Sequence, residues 1–336
     1  MRPVAPLKPA STRPIPIKAV IVTAYETGAD EGDTPGELQL WVEREKLTRH
    51  YAIAAEHDVR GNDQGVLALV TGVGTAHSAA SVMALGLDPR FDLSHAYWLV
   101  AGIAGGDPAD TTLGSAVWSE WVIDADLAYE IDAREIPSDW PTGYLPWGKT
   151  QPFEEPTRNR GEAFRINANL RDWAYELTKD IKLTDSPRMA AYRARFSEFP
   201  RAQQPPSVMK GDTMSGSTFW HGRKLNGWAN EWTRYWSQGQ GNYVTCAMED
   251  TGTLQALTQL SKARRVDLNR VMVLRAVTDF DSPPADMTAA ESLVRGRNGA
   301  YFAYTEALEA AHRTGSRVVR EIVTNWKRYE KSPPHP

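Results

Sequence analysis

Four short stretches of the 336-residue sequence carry the side chains best suited to chemistry. In the first, an apolar run at residues 243–248 delivers Met248, Glu249 and Asp250 to the start of a helix-like segment. A carboxylate at a strand end can accept two hydrogen bonds at once, which matches a cis-diol such as that of a ribose. It can equally cap a helix, where acids gain from the dipole. The two acids can divide these tasks, Glu249 gripping a sugar and Asp250 opening the helix. In the second stretch, "VMVLRAVTDFD" at 271–281, a hydrophobic strand runs straight into Thr278 and Asp279. Desolvation there would raise the aspartate's pKa and make it a proton donor, although a turn or cap role competes. Arg275, inside that strand, is expected to pair with a buried acid.

The third stretch, "GDTMSGSTFWHG" at 211–222, is a loop of small polar residues ending in Phe219 and Trp220. Their rings could stack on a flat heterocycle or simply fill core. The fourth is a pair of glycine turns after strands, "TGVGT" at 71–75 and "GIAGG" at 102–106. Glycine there serves a tight turn, or lets a ligand approach the backbone. Neither turn is Gly-x-Gly-x-x-Gly, and no Gly-Lys-Ser/Thr loop occurs, so dinucleotides and nucleoside triphosphates are disfavoured.

The elements that must position these residues alternate in type. Apolar, β-branched runs at 18–25, 64–70, 96–100, 207–212, 243–248 and 271–277 read as strands, and 115–123 alternates in part. Segments 78–85, about 169–180, 287–314 and 316–329 read as helices. This rhythm predicts an α/β fold in three layers, a mixed central sheet flanked by helices, with ligands beyond the strands' carboxyl ends. Residues 1–16 form an extended Pro-rich lead-in without a signal peptide's apolar core. Residues 17–330 are expected to form one domain, with an insertion at about 126–206 where the rhythm fades. Trp140, Trp147, Trp228, Trp232 and Trp236 sit in polar surroundings and are expected to be partly buried on long loops.

A net charge of −4 gives no electrostatic case for nucleic acid or anionic membrane as partner. Apolar runs are too short for a membrane span, which needs about 20 residues. One cysteine, Cys246, excludes an internal disulfide and multi-cysteine metal sites, and no His-x-x-x-His pair occurs. No metal or cofactor is expected. The compartment is cytoplasmic as the sequence stands, or periplasmic or secreted if an export signal precedes Met1.

In this order and spacing, "GVGTAHSAASVMALGLDPRFDLSHAYWLVAGIAGGDP", "GDTMSGSTFWHG", "CAMEDTG" and "RAVTDFDSP" resemble the nucleoside phosphorylase and nucleosidase superfamily, and within it the purine nucleoside permeases. The likeness runs from about residue 17 to 311. It implies a purine nucleoside as ligand, and assembly into homo-oligomers as in relatives of this fold. It assigns Met248 and Glu249 to ribose, Asp279 to protonation of the purine at N7, and Phe219 to stacking on the base. Gly102, Gly105 and Thr278 would back the sugar and base. Phosphorylases of this fold carry an arginine and a serine for phosphate, where this chain has Val100 and Ile103. The loop "YETGADEGDTPGE" is acidic where they carry another arginine. A water nucleophile therefore suits the pocket better, and Glu26, with Asp30 as rival, corresponds to the nucleosidases' water-activating glutamate. Hydrolysis to free base and ribose is the activity this implies. Phosphorolysis through a residue such as Arg295 or Arg297, and non-catalytic nucleoside binding in uptake, are the alternatives.

Overall fold

The computed structural model describes residues 13–155, 159–298 and 302–336, with the side chains of 295–298 left out. Its centre is built from strands whose residues are buried without exception, Ala19–Thr23 and Val66–Val70. They pair in parallel, and the first also pairs in parallel with Tyr97–Gly106. Successive side chains of a strand point to opposite faces. Accordingly Ala19 and Ile21 join one apolar core and Val20 and Val22 the other. Thr75–Gly86 and Asp250–Lys262 supply residues to the second core, including Val82, Leu85, Leu257 and Leu260. Tyr304–Thr324 and Ala168–Thr178 cover the first. The result is the expected three-layer α/β arrangement around a mixed sheet.

Tyr97–Gly106 is the strand that organises the site. One edge pairs in parallel with Val271–Phe280, bringing Ala276 opposite Ile103 and Asp279 opposite Gly105. At its far end Thr245 and Cys246, from the antiparallel strand Tyr243–Ala247, lie opposite Gly106 and Gly105. The chain leaving Ala247 therefore heads back along the strand towards Ile103, carrying Met248 and Glu249 with it.

Several expectations need amending. The runs at 115–123 and 207–212 are each broken: Ala116–Ser119 and Trp121–Asp124 in one, Val208–Lys210 and Asp212–Ser215 in the other. The buried Asp212 carboxylate fixes the first break by accepting from the backbone N–H groups of Glu120 (3.0 Å) and Trp121 (2.8 Å). The expected helices 287–314 and 316–329 are instead Ala289–Asn298, Tyr304–Thr324 and Trp326–Tyr329, so the chain stays helical through Gly315. A glycine is needed there because a Cβ would stand 2.8 Å from Trp41 and 3.0 Å from Leu99. Trp228, Trp232 and Trp236 are not on a loop. They recur every fourth residue of the helix Arg223–Trp236, so they share one face and are buried together. Trp140 and Trp147 do sit outside helices and strands, and Trp147 stacks on Tyr129. Of the lead-in, residues 1–12 lie outside the described part, while Ile15–Pro16 pairs with Phe91–Asp92. No described helix is long and apolar enough to cross a membrane.

Candidate functional site

A cavity of about 390 Å³ opens beyond the Ile103–Gly105 backbone, a size suited to a small organic ligand. Its walls come from stretches far apart in sequence, between Ala24 and Tyr304, and they bring together most of the residues singled out above. Asp279, Thr278, Glu249, Met248, Phe219 and Gly105 all line it. So do Trp220, Cys246, Tyr25, Glu37 and Tyr304. Among the described residues, no lysine, arginine or histidine does.

Asp279 keeps part of its surface open while burial raises its pKa from 3.8 to about 8. A neutral, proton-bearing carboxyl at physiological pH follows from desolvation alone. Beside it, the Thr278 hydroxyl is buried without a protein partner among the described residues. Phe219 is 46% exposed at the rim, so its ring is not spent on filling core.

Glu249 is buried. It accepts from the backbone N–H groups of Gly74 and Met248, both at 3.3 Å, and lies 3.4 Å from the Arg275 guanidinium. Burial pushes its pKa up, against the pull of Arg275. Asp250 does not cap its helix as expected. Its carboxylate turns inward to Arg275, with contacts of 2.7, 3.1 and 3.2 Å, which meets the expectation that Arg275 pairs with a buried acid. Burial alone would lower the Arg275 pKa, but Asp250, Glu249 and Glu37 together raise it further. A buried guanidinium ringed by three carboxylates stays charged and cannot leave to meet a solvent anion.

Two expectations fail on position. Glu26 is absent from the cavity wall; it accepts from the N–H groups of Gly36, Leu38 (2.8 Å) and Gln39 (2.6 Å), closing the loop and capping the helix Gln39–Arg44. The rival Asp30 pairs with Arg60 at 3.1 Å. The carboxylate that the same loop brings to the cavity is Glu37, eleven residues beyond Glu26. Its two oxygens accept from Ala24 N–H (2.6 Å) and Ile103 N–H (2.7 Å), stitching the first strand to the third. Burial raises its pKa from 4.5 to about 7; Arg275 opposes that and Glu249 adds to it. Gly102 likewise is not on the wall. A Cβ there would overlap Glu37 and Arg275, so the glycine lets both side chains cross the strand. The Pro35–Gly36 dipeptide just before Glu37, whose N–H returns the loop to the Tyr25 carbonyl, was the available signal for Glu37. The side chains of Arg295 and Arg297 lie outside the described residues.

This architecture is that of the nucleosidases. A 5′-methylthioadenosine/S-adenosylhomocysteine nucleosidase of Neisseria meningitidis superposes with a TM-score of 0.53 at 15% identity, over 90% of this chain and 99% of that one. The futalosine hydrolase of Helicobacter pylori does so at 0.53 and 13%, over 91% and 98%. At such identities the likeness establishes the fold. The sequence relationship is narrower: the profile of the purine nucleoside permease family matches residues 16–334, and the chain belongs to that family. A purine nucleoside permease of Candida albicans is 34% identical over 269 residues, 79% of this chain and 65% of the relative. A probable purine nucleoside permease of Schizosaccharomyces pombe is 31% identical over 274 residues, 78% of this chain and 77% of the other. The chain thus spans just under two thirds of the Candida relative's length.

Proposed function

We propose that the chain hydrolyses the N-glycosidic bond of purine nucleosides, releasing free base and ribose. The observation that carries this reading is that Asp279, Glu249 and Glu37 line one cavity whose described lining holds no cation. Asp279, neutral near pH 7, donates its proton to N7 of the base, so the electron pair of the breaking C1′–N9 bond departs on a neutral purine. Phe219 packs on the base, and Glu249 accepts from the 2′- and 3′-hydroxyls as the sugar gains positive charge. Glu37 retains lone pairs beyond its two backbone bonds. It orients a water and takes its proton as oxygen bonds to C1′. Two carboxyls whose surroundings hold one protonated and the other partly ionised divide acid and base work. Gly105 and Thr278 back the base, with the Thr278 hydroxyl free to bond to it.

Against phosphorolysis stands the same lining, since a phosphate with roughly two negative charges would face carboxylates across a low-dielectric gap. The test is incubation with inosine, guanosine and adenosine, with and without phosphate, followed by chromatography of base and sugar. Free ribose in both conditions supports hydrolysis. Ribose 1-phosphate would make the protein a phosphorylase, and tight binding with no base released would make it a binding protein, the role the relatives' name suggests.

A further inference from the structure

Two polar groups on the cavity wall have no task in that mechanism. Tyr25 follows the first strand and Tyr304 opens the last long helix, yet they meet. The Tyr25 hydroxyl donates to the Tyr304 oxygen at 3.1 Å, and the Tyr304 hydroxyl donates to the Pro35 carbonyl at 3.0 Å. Both phenol protons are committed, whereas the oxygens keep lone pairs. Towards the cavity the pair offers acceptors and no donor. Glu37, on the same wall, is an acceptor as well.

Their position along the cavity follows from the strand beneath it. Gly105 marks the end occupied by Asp279 and Cys246. Ile103 marks the other end, because its N–H holds Glu37 while Glu37 also holds the residue before Tyr25. Two residues of strand separate these ends by roughly 7 Å, about the span from a purine's N7 to the far corner of its sugar. With the base at Asp279 and the diol at Glu249, C5′ is the part of a nucleoside left to face the tyrosines.

We propose that the Tyr25–Tyr304 pair selects nucleosides whose 5′ substituent is a hydrogen-bond donor, above all a free 5′-hydroxyl, and rejects 5′-deoxy, 5′-thioether and 5′-phosphate forms. This rests on the nucleoside reading of the site. A hydroxyl donates to the waiting oxygens. A methyl or thioether has no proton to give and leaves those acceptors desolvated and unpaired, which costs more than an absent contact. A phosphate monoester brings further acceptors and negative charge to a wall with no described cation. Substrates would therefore be intact nucleosides, after any phosphatase step and not before it.

Equilibrium dialysis with the Asp279→Asn protein, which preserves the ligand during measurement, tests this. Whichever of adenosine, inosine and guanosine binds best is compared with its 5′-deoxy, 5′-amino-5′-deoxy, 5′-methylthio and 5′-monophosphate forms. The expected result is about 10- to 100-fold weaker binding of the 5′-deoxy and 5′-methylthio forms. The monophosphate should bind at least as weakly, and the amine within a few-fold of the parent. The double variant Tyr25→Phe/Tyr304→Phe, which removes both oxygens, should shrink the hydroxyl-to-deoxy ratio towards one. Equal affinity for the hydroxyl and deoxy forms overturns the inference while the nucleoside reading survives, and so does a full ratio in the double variant. No binding of any nucleoside removes both. Should the double variant fail to fold, the analogue series on its own decides.

Discussion

At the scale of single residues, the site poses two carboxyls against each other. Catalysis as proposed needs Glu37 ionised, above about pH 7, and Asp279 protonated, below about pH 8. The kcat/KM profile should therefore be a narrow bell, rising through the first value and falling through the second. Asp279→Asn should abolish the alkaline limb and lower kcat by about 10²–10⁴, measured by release of base. The same substitution should act oppositely on stability. Because folding raises the aspartate's pKa, its favourable contribution is complete at low pH and is lost as pH climbs towards 8. Asparagine cannot ionise, so the variant's Tm relative to the parent should increase from about pH 4 to about pH 8 and level off above it. Glu37→Gln and Glu26→Gln form a contrasting pair. The first should remove the acidic limb of the bell; the second should lower Tm through a lost helix cap, about 1 kcal/mol, and leave that limb in place.

At the scale of elements, local patterning carried much of the fold. Fully apolar β-branched runs gave the central strands, and a strand end followed by acids pointed to Glu249 and Asp279. What escaped depended on distant partners. Glu26 and Glu37 lie on one loop, and only its closure against Ala24 and Ile103 tells which of them turns inward. Asp250 looked like a cap because its true partner, Arg275, is 25 residues away. The Trp228, Trp232 and Trp236 stripe was legible as a fourth-residue repeat, but intervening polar residues masked it. Gly315 looked like a break since glycine disfavours helices by about 1 kcal/mol. Here, however, packing decides. Gly315→Leu should gain that propensity yet lose more by forcing Trp41 and Leu99 apart, a net destabilisation of about 1–3 kcal/mol in urea unfolding.

At the scale of the whole molecule, the layers place the carboxyls of Glu37, Glu249 and Asp279 on the cavity wall and hold Arg275 behind it, paired with Glu249 and Asp250, on a chain whose formal charge is already −4. Inorganic phosphate should neither accelerate nor be consumed in the reaction. Initial rates with and without millimolar phosphate should agree once ionic strength is matched, and a phosphate-dependent rate would contradict the electrostatic argument. The fold itself shares its outline with proteins at 13–15% identity, so its persistence reflects the layered packing, and the distinctive features of this chain reside in what crosses the sheet.

The double backbone grip of Glu37 has a practical corollary for anyone surveying variants. One side chain both joins two strands and lines the cavity, so nearly every replacement should lower the yield of folded protein as well as the proposed turnover. A screen scored by abundance would file position 37 under scaffolding and overlook it. Turnover per folded molecule, in the few replacements that survive, is the quantity that separates its two duties.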